Sequence, residues 1–152
     1  MQIFNPPLKS DLQSTPADPS TTTSTTGVMM GLGGVTSIVP SSTGKIEIKI
    51  SGDIDNTLTL NGSQVQIRYG TGIAPTNGAA LTGTAAGGLV KYLNASDTGV
   101  LAVFVPGKGA FSLNAIISGL AIGTAYWIDI SLGSITGGTS RVRDISISAI
   151  EL

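Results

Sequence analysis

Strict alternation of apolar and polar side chains over short runs is what most limits how this chain can fold. Ile46, Ile48 and Ile50 alternate with Lys45, Glu47 and Lys49, and Val65, Ile67 and Tyr69 alternate with Gln64, Gln66 and Arg68. A period of two sends the two sets to opposite faces of a pleated strand, so each run reads as a strand with one face in a core and one in solvent. The same reasoning predicts strands at 28–32, 35–39, 57–60, 89–93, 100–105, 111–117, 125–132 and 142–152. Between them, Asn61-Gly62, Gly87-Gly88, Gly107 to Gly109 and Gly137-Gly138 supply the positive φ angles of tight connections. Short strands punctuated in this way predict an all-β fold, an antiparallel β-sandwich of the jelly-roll kind.

Two stretches need their own reading. In the last strand the apolar phase set by Ile145 and Ile147 slips between Ala149 and Ile150, which predicts a β-bulge near Ser148. Residues 70–88 are rich in Gly, Ala and Thr and lack bulky anchors, so they read as a long loop or crossover, or as a loop packed against a symmetry-related copy.

Upstream of Gly27 the composition changes. Residues 5–26 carry Pro6-Pro7, Pro16, Pro19 and a run of Ser and Thr from Ser20 to Thr26. Prolines remove donors and hydroxyls compete for the backbone, so an extended, irregular segment is predicted. The chain then divides into an extended arm, 1–26, and a β-sandwich domain, 27–152. The arm has little apolar surface beyond Ile3, Phe4, Leu8 and Leu12. It is therefore expected to lie along a neighbouring subunit or another protein, with Phe4, Pro6, Pro7, Leu8 and Leu12 as anchors; a passive linker is the plainer alternative.

Composition removes several function classes. The chain of 152 residues has no Cys and no His, so disulfides, thiolate ligands and the commonest general base are all missing. Charged residues make up 11% against 41% hydrophobic, few for a solvated surface, which suggests that part of the surface is covered in an assembly. Net charge is −1 and the eight basic residues are scattered, so no nucleic-acid footprint is expected. No apolar run is long enough for a membrane helix, and residues 1–10 lack the basic and apolar regions of a signal peptide, so neither membrane insertion nor export is expected.

The remaining candidates for chemistry are local. Asp53-Ile54-Asp55-Asn56-Thr57 after a strand has the look of a phosphotransferase nucleophile loop, but no helical period follows and Asp97, Asp129, Asp144 and Glu151 stand apart in sequence. The plain reading is a turn between antiparallel strands; a calcium ion held by Asp53 and Asp55 is the alternative. Gly31-Leu32-Gly33-Gly34 hints at a phosphate cradle, yet no Gly-Lys-Ser/Thr follows it. A pair of acids across a cleft could be formed by Asp129 and Asp144 if their strands were adjacent. Asn61-Gly62-Ser63 and Asn94-Ala95-Ser96 match the glycosylation pattern and read as turns. Tyr126 and Trp127 must face opposite sides of one strand. With Tyr126 inside beside Ile128, Ile130 and Leu132, Trp127 joins Asp129 and Ser131 outside, as a surface contact or under a loop of its own chain. No catalytic, cofactor-binding or metal-binding residue is assigned, and the chain reads as a non-enzyme.

Four strings carry a resemblance: Gly27-Val28-Met29-Met30-Gly31-Leu32-Gly33; Val65-Gln66-Ile67-Arg68-Tyr69-Gly70-Thr71-Gly72-Ile73-Ala74-Pro75; Ser118-Gly119-Leu120-Ala121-Ile122-Gly123-Thr124-Ala125-Tyr126-Trp127; and Ile145-Ser146-Ile147-Ser148-Ala149-Ile150-Glu151-Leu152. From about residue 22 onward the chain resembles structural proteins of tailed bacteriophages, small virion proteins and fibre ends with trimeric jelly-roll heads similar to the tumour necrosis factor fold. The resemblance implies a homotrimeric virion component assembled in the bacterial cytoplasm. On that basis it implies a capsid decoration or cement protein bound to the major capsid protein. The alternative is a tail-fibre tip attached to a tail adaptor or fibre protein and binding a host surface glycan.

Overall fold

The computed structural model describes residues 9–58, 61–92 and 108–152. Among them are nine strands: β1 (Asp11–Ser14), β2 (Val28–Met29), β3 (Ser37–Ile38), β4 (Ile46–Asn56), β5 (Ser63–Gly70), β6 (Thr84–Tyr92), β7 (Lys108–Ile117), β8 (Tyr126–Ser134) and β9 (Ser140–Glu151). One sheet has the order β1-β9-β4-β7, the other β2-β8-β5-β6 with β3 also on β8, and every pairing is antiparallel. If β2 and β3 are taken as one interrupted strand, the chain crosses between sheets in the sequence that produces two interlocked Greek keys. The protein is a jelly-roll β-sandwich.

The inward faces follow from the alternation. Ile46, Ile48, Ile50 and Ile54 of β4 and Val142, Ile145, Ile147 and Ala149 of β9 pack against Val65, Ile67, Ile128, Ile130 and Leu132 of the other sheet, all almost fully buried. This layer of branched aliphatic side chains is the driving force of the fold. Tyr126 stacks at a tilt on Tyr69 and Phe111 meets Tyr92 edge to face, closing the layer with aromatic pairs.

Several expectations are corrected. Strand β4 does not stop at Ile50 but runs through Asp53, Ile54, Asp55 and Asn56, where a turn was expected, because Arg143 and Arg141 of β9 stand opposite the two aspartates in register and both pair with the buried Asp55. Of the strand expected at 57–60, Thr57 and Leu58 lie in a bend and the rest falls outside the described residues. The strand expected at 100–105 also falls outside them. Gly87-Gly88 is no hairpin turn: it lies within β6, where the register against β5 shifts between Val65 and Ile67. The predicted bulge in β9 sits not at Ser148 but at Asp144, which has φ 51° and marks the register shift opposite Gly52. Beyond it alternation continues unbroken. Ile150 points outward at 43% exposure, and Glu151 points inward to a bed of amides.

The arm is corrected as well. Its residues 9–26 lie along their own domain, with β1 completing the first sheet against β9 and Thr22 bridging Ser140 through two backbone hydrogen bonds of 3.0 and 2.8 Å. The folded unit therefore begins well before residue 27.

Candidate functional site

Three buried carboxylates are held by the chain's own groups, and two of them fix irregular segments to the sandwich. Glu151 ends β9 facing the loop between β3 and β4. Its Oε1 accepts from the amides of Ser42, Thr43 and Gly44 at 2.8, 2.6 and 3.1 Å, and its Oε2 from the amides of Ser41 and Ser10 at 2.9 and 3.3 Å. Consecutive amides turned inward form an anion nest, which here holds the protein's own carboxylate. Burial raises the Glu151 carboxyl, but the hydrogen bonds from Ser41, Ser42 and Thr43 outweigh it and hold the group far below the usual carboxylate range. One side chain thus joins the arm, a loop and the last strand.

Asp129 does the same on the second sheet. Fully buried on β8, it accepts from the amides of Gly31 at 2.9 Å, Leu32 at 3.1 Å and Ile130 at 2.7 Å. Burial dominates here and pushes its pKa up to about 6 against those hydrogen bonds. The amides of the glycine-rich segment that hinted at a phosphate cradle are thus turned onto Asp129. Asp144 lies on β9 in the opposite sheet, so the pair of acids across a cleft is not assembled.

Asp55 is the third. Arg141 binds it through Nε and Nη2 at 2.6 and 2.7 Å, and Arg143 adds a contact of 2.7 Å. Burial would raise this carboxyl, but the hydrogen bonds and charges of the two arginines prevail and lower it. Two cationic side chains therefore occupy the place proposed for calcium, and no group of three or more potential metal ligands occurs among the described residues. Beside it, Asn56 donates to the carbonyls of Gly62 and Gly137, both at 2.9 Å, while Ser63, Ser134 and Ser140 link their hydroxyls at 2.7 and 3.0 Å. This buried polar knot stitches the two sheets together at one end, and no sequence motif announced it.

Trp127 is not a surface contact. It is 5% exposed, and its Nε1 donates to Thr71 O at 3.2 Å. A methyl group added at Gly70 would stand 2.5 Å from the indole, and one at Gly33 3.1 Å from its Cβ, so the ring lies in a slot that only glycines leave open. The small residues of 70–88 thus allow close approach to the chain's own tryptophan. Of the anticipated arm anchors, Leu12 faces inward opposite Ala149 and packs half-buried against the core, so it is not free to hold a partner. Phe4, Pro6, Pro7 and Leu8 lie outside the described residues.

The arrangement is that of a jelly-roll domain whose buried ionic groups hold its own loops. The chain matches no protein-family model and no curated protein. Among solved structures it is similar to one of infectious bursal disease virus, Gx strain, at 15% identity and a TM-score of 0.49, over 95% of this chain but 32% of the viral one. It is also similar to the Eiger TNF of S. frugiperda, at 7% identity and a TM-score of 0.48, over 95% of this chain and 90% of the other. Both are likenesses in the arrangement of strands.

Proposed function

We propose that this chain is a non-enzymatic virion structural protein, a decoration or cement protein of a bacteriophage capsid that trimerises through its sandwich and attaches to the shell through its N-terminal segment. The observation that carries the reading is how the charges and the exposed apolar groups are distributed. The buried acids are engaged in holding the fold, which leaves them unsuited to chemistry. Aliphatic side chains meanwhile stand in solvent: Ile73 is 97% exposed, Val35 65% and Ile116 58%. Ile116 and Ile150 flank Glu47 in one cross-strand row of a sheet face that carries the Glu47–Lys49 ion pair and, beyond it, small polar groups such as Ser51, Ser112 and Ser146. Such a surface suits subunit packing better than solvation.

The arm's course defines the test. Removing residues 1–26 would also remove β1 and the Thr22 bridge, so loss of binding in that variant would be uninformative. Removing residues 1–8 leaves in place every strand pairing among the described residues. The truncated protein is expected to keep its melting temperature and its trimeric mass by light scattering, and to lose co-sedimentation with capsid shells assembled without it. Undiminished co-sedimentation refutes attachment through this segment, and a monomeric full-length chain refutes the trimer.

A further inference from the structure

The outer face of the second sheet holds a groove that the proposed structural role does not use. Its floor is the row Gln64, Gln66 and Arg68 on β5 with Ser131 on β8, and its rims are Leu81 and Leu89; its volume is about 120 Å³. Alternation places the three long polar side chains on one face, and the bulge at Gly87-Gly88 sets Leu89 outward at 49% exposure. Leu81 faces it at 41% exposure. The cavity is smaller than the several hundred Å³ of pockets that enclose drug-sized ligands, which fits one ring or one headgroup.

The charge of this face is unbalanced. Arg68 stands directly opposite Asp129 in register, yet the two do not pair: Asp129 turns to the amides of Gly31 and Leu32, and Arg68 turns to Gly83 O at 3.4 Å. Lys91, opposite Gln64 on β6, adds a second cation to the face. Among the described residues neither has a carboxylate partner. Gln64 and Gln66 are fixed through their Nε2 groups on Thr25 O at 3.3 Å and Gly87 O at 3.1 Å, which leaves each amide oxygen as an acceptor. A guanidinium asks for a carboxylate, amide oxygens and a serine hydroxyl ask for hydroxyl groups, and two leucines ask for a C–H face.

We infer that this groove binds a carboxylate-bearing sugar unit, with Arg68 on the carboxylate, Gln64, Gln66 and Ser131 on the hydroxyls and Leu81 and Leu89 against the ring. The site needs no partner chain and holds wherever in a particle the domain stands.

The test is titration of the full chain with sodium glucuronate, glucose and sodium acetate, followed by NMR at the side-chain amides of Gln64 and Gln66 and the methyls of Leu81 and Leu89. Glucuronate is expected to shift both sets saturably, with glucose and acetate each at least tenfold weaker. Arg68→Gln should weaken glucuronate at least tenfold. Because Arg68 also touches the loop at Gly83, Leu89→Glu provides an independent variant: it sets a like charge on an exposed rim and should produce a comparable loss at an unchanged melting temperature. Glucuronate shifts that are absent or scattered over the surface overturn the site. Acetate binding as tightly as glucuronate overturns the sugar assignment, as does unweakened binding by Leu89→Glu.

Discussion

Replacing Asp129 by asparagine changes the shape of β8 hardly at all but removes a charge that the fold holds in an apolar place. At neutral pH the carboxylate accepts from Gly31 through Oδ2 and from Leu32 and Ile130 through Oδ1. The asparagine oxygen can keep two of these bonds, while its NH₂ meets the third amide donor to donor, a loss of about 1–2 kcal/mol. Against that, the buried charge disappears. The two effects oppose each other at pH 7, so stability at a single pH is a poor test, and the dependence on pH is a good one.

The carboxyl rises from 3.8 to about 6 on folding, so the folded state holds the proton more tightly than the unfolded chain. Stability from this group is fully present below the unfolded pKa and is lost as pH rises through the folded one. The full excursion is about 3 kcal/mol, of which about 1.3 kcal/mol falls between about pH 5 and about pH 7. Asp55 and Glu151 are shifted the other way. Their stabilisation is present above the ordinary carboxylate pKa and is lost only as pH falls past it, so Asp129 dominates that interval among the shifted groups. The wild-type chain should therefore gain roughly 3–5 °C in melting temperature relative to Asp129→Asn on going from pH 7 to pH 5. Urea titrations at both pH values give the same comparison as free energy. Identical pH dependence in the two proteins would show that Asp129 does not titrate in this interval, and the burial argument would fail.

Two further substitutions follow from the same geometry. Glu151→Gln removes the anion from the nest at residues 41–44; the melting temperature should fall, and amide hydrogen exchange at Ser42, Thr43 and Gly44 should accelerate while that of Ile48 and Ile147 changes far less, with uniform exchange counting against a local clamp. Asp144→Gly relieves a positive φ of 51° at the β9 bulge while keeping the backbone bond of 2.8 Å to Asp18 Oδ1, so it should stabilise by about 0.5–1 kcal/mol in urea unfolding, and a destabilised variant would mean that the Asp144 side chain supports the bulge.

The core was legible in the sequence because a two-residue period survives burial: Ile46, Ile48 and Ile50 face inward as their alternation requires, and so do Val65 and Ile67. What alternation cannot report is what lies over the other face. Every residue from Trp127 to Ser134 is buried, although alternation turns half of them outward: the glycine-rich turn after β2 lies over Trp127 and Asp129, and Gly83 closes on the Trp127 ring. The same blindness explains Asp53 and Asp55, whose polarity suggests a turn until Arg141 and Arg143 are seen opposite. Strand pairing is a long-range fact, and it reverses the meaning of a local pattern.

That reversal extends to the arm. Prolines and hydroxyls exclude helix in residues 9–26, and the chain is indeed extended there, but extension is equally the state of a strand waiting for an edge. The edge is offered by β9, whose outward partner positions accept β1 and whose Ser140 accepts Thr22. Leu12 then turns inward to the core, and Glu151 fixes the amide of Ser10 where the arm meets the sandwich. A pull applied to the chain ahead of that point would pass through the clamp directly into the first sheet. The attachment proposed for the N-terminal segment would have to meet this mechanical requirement, and a passive linker would not.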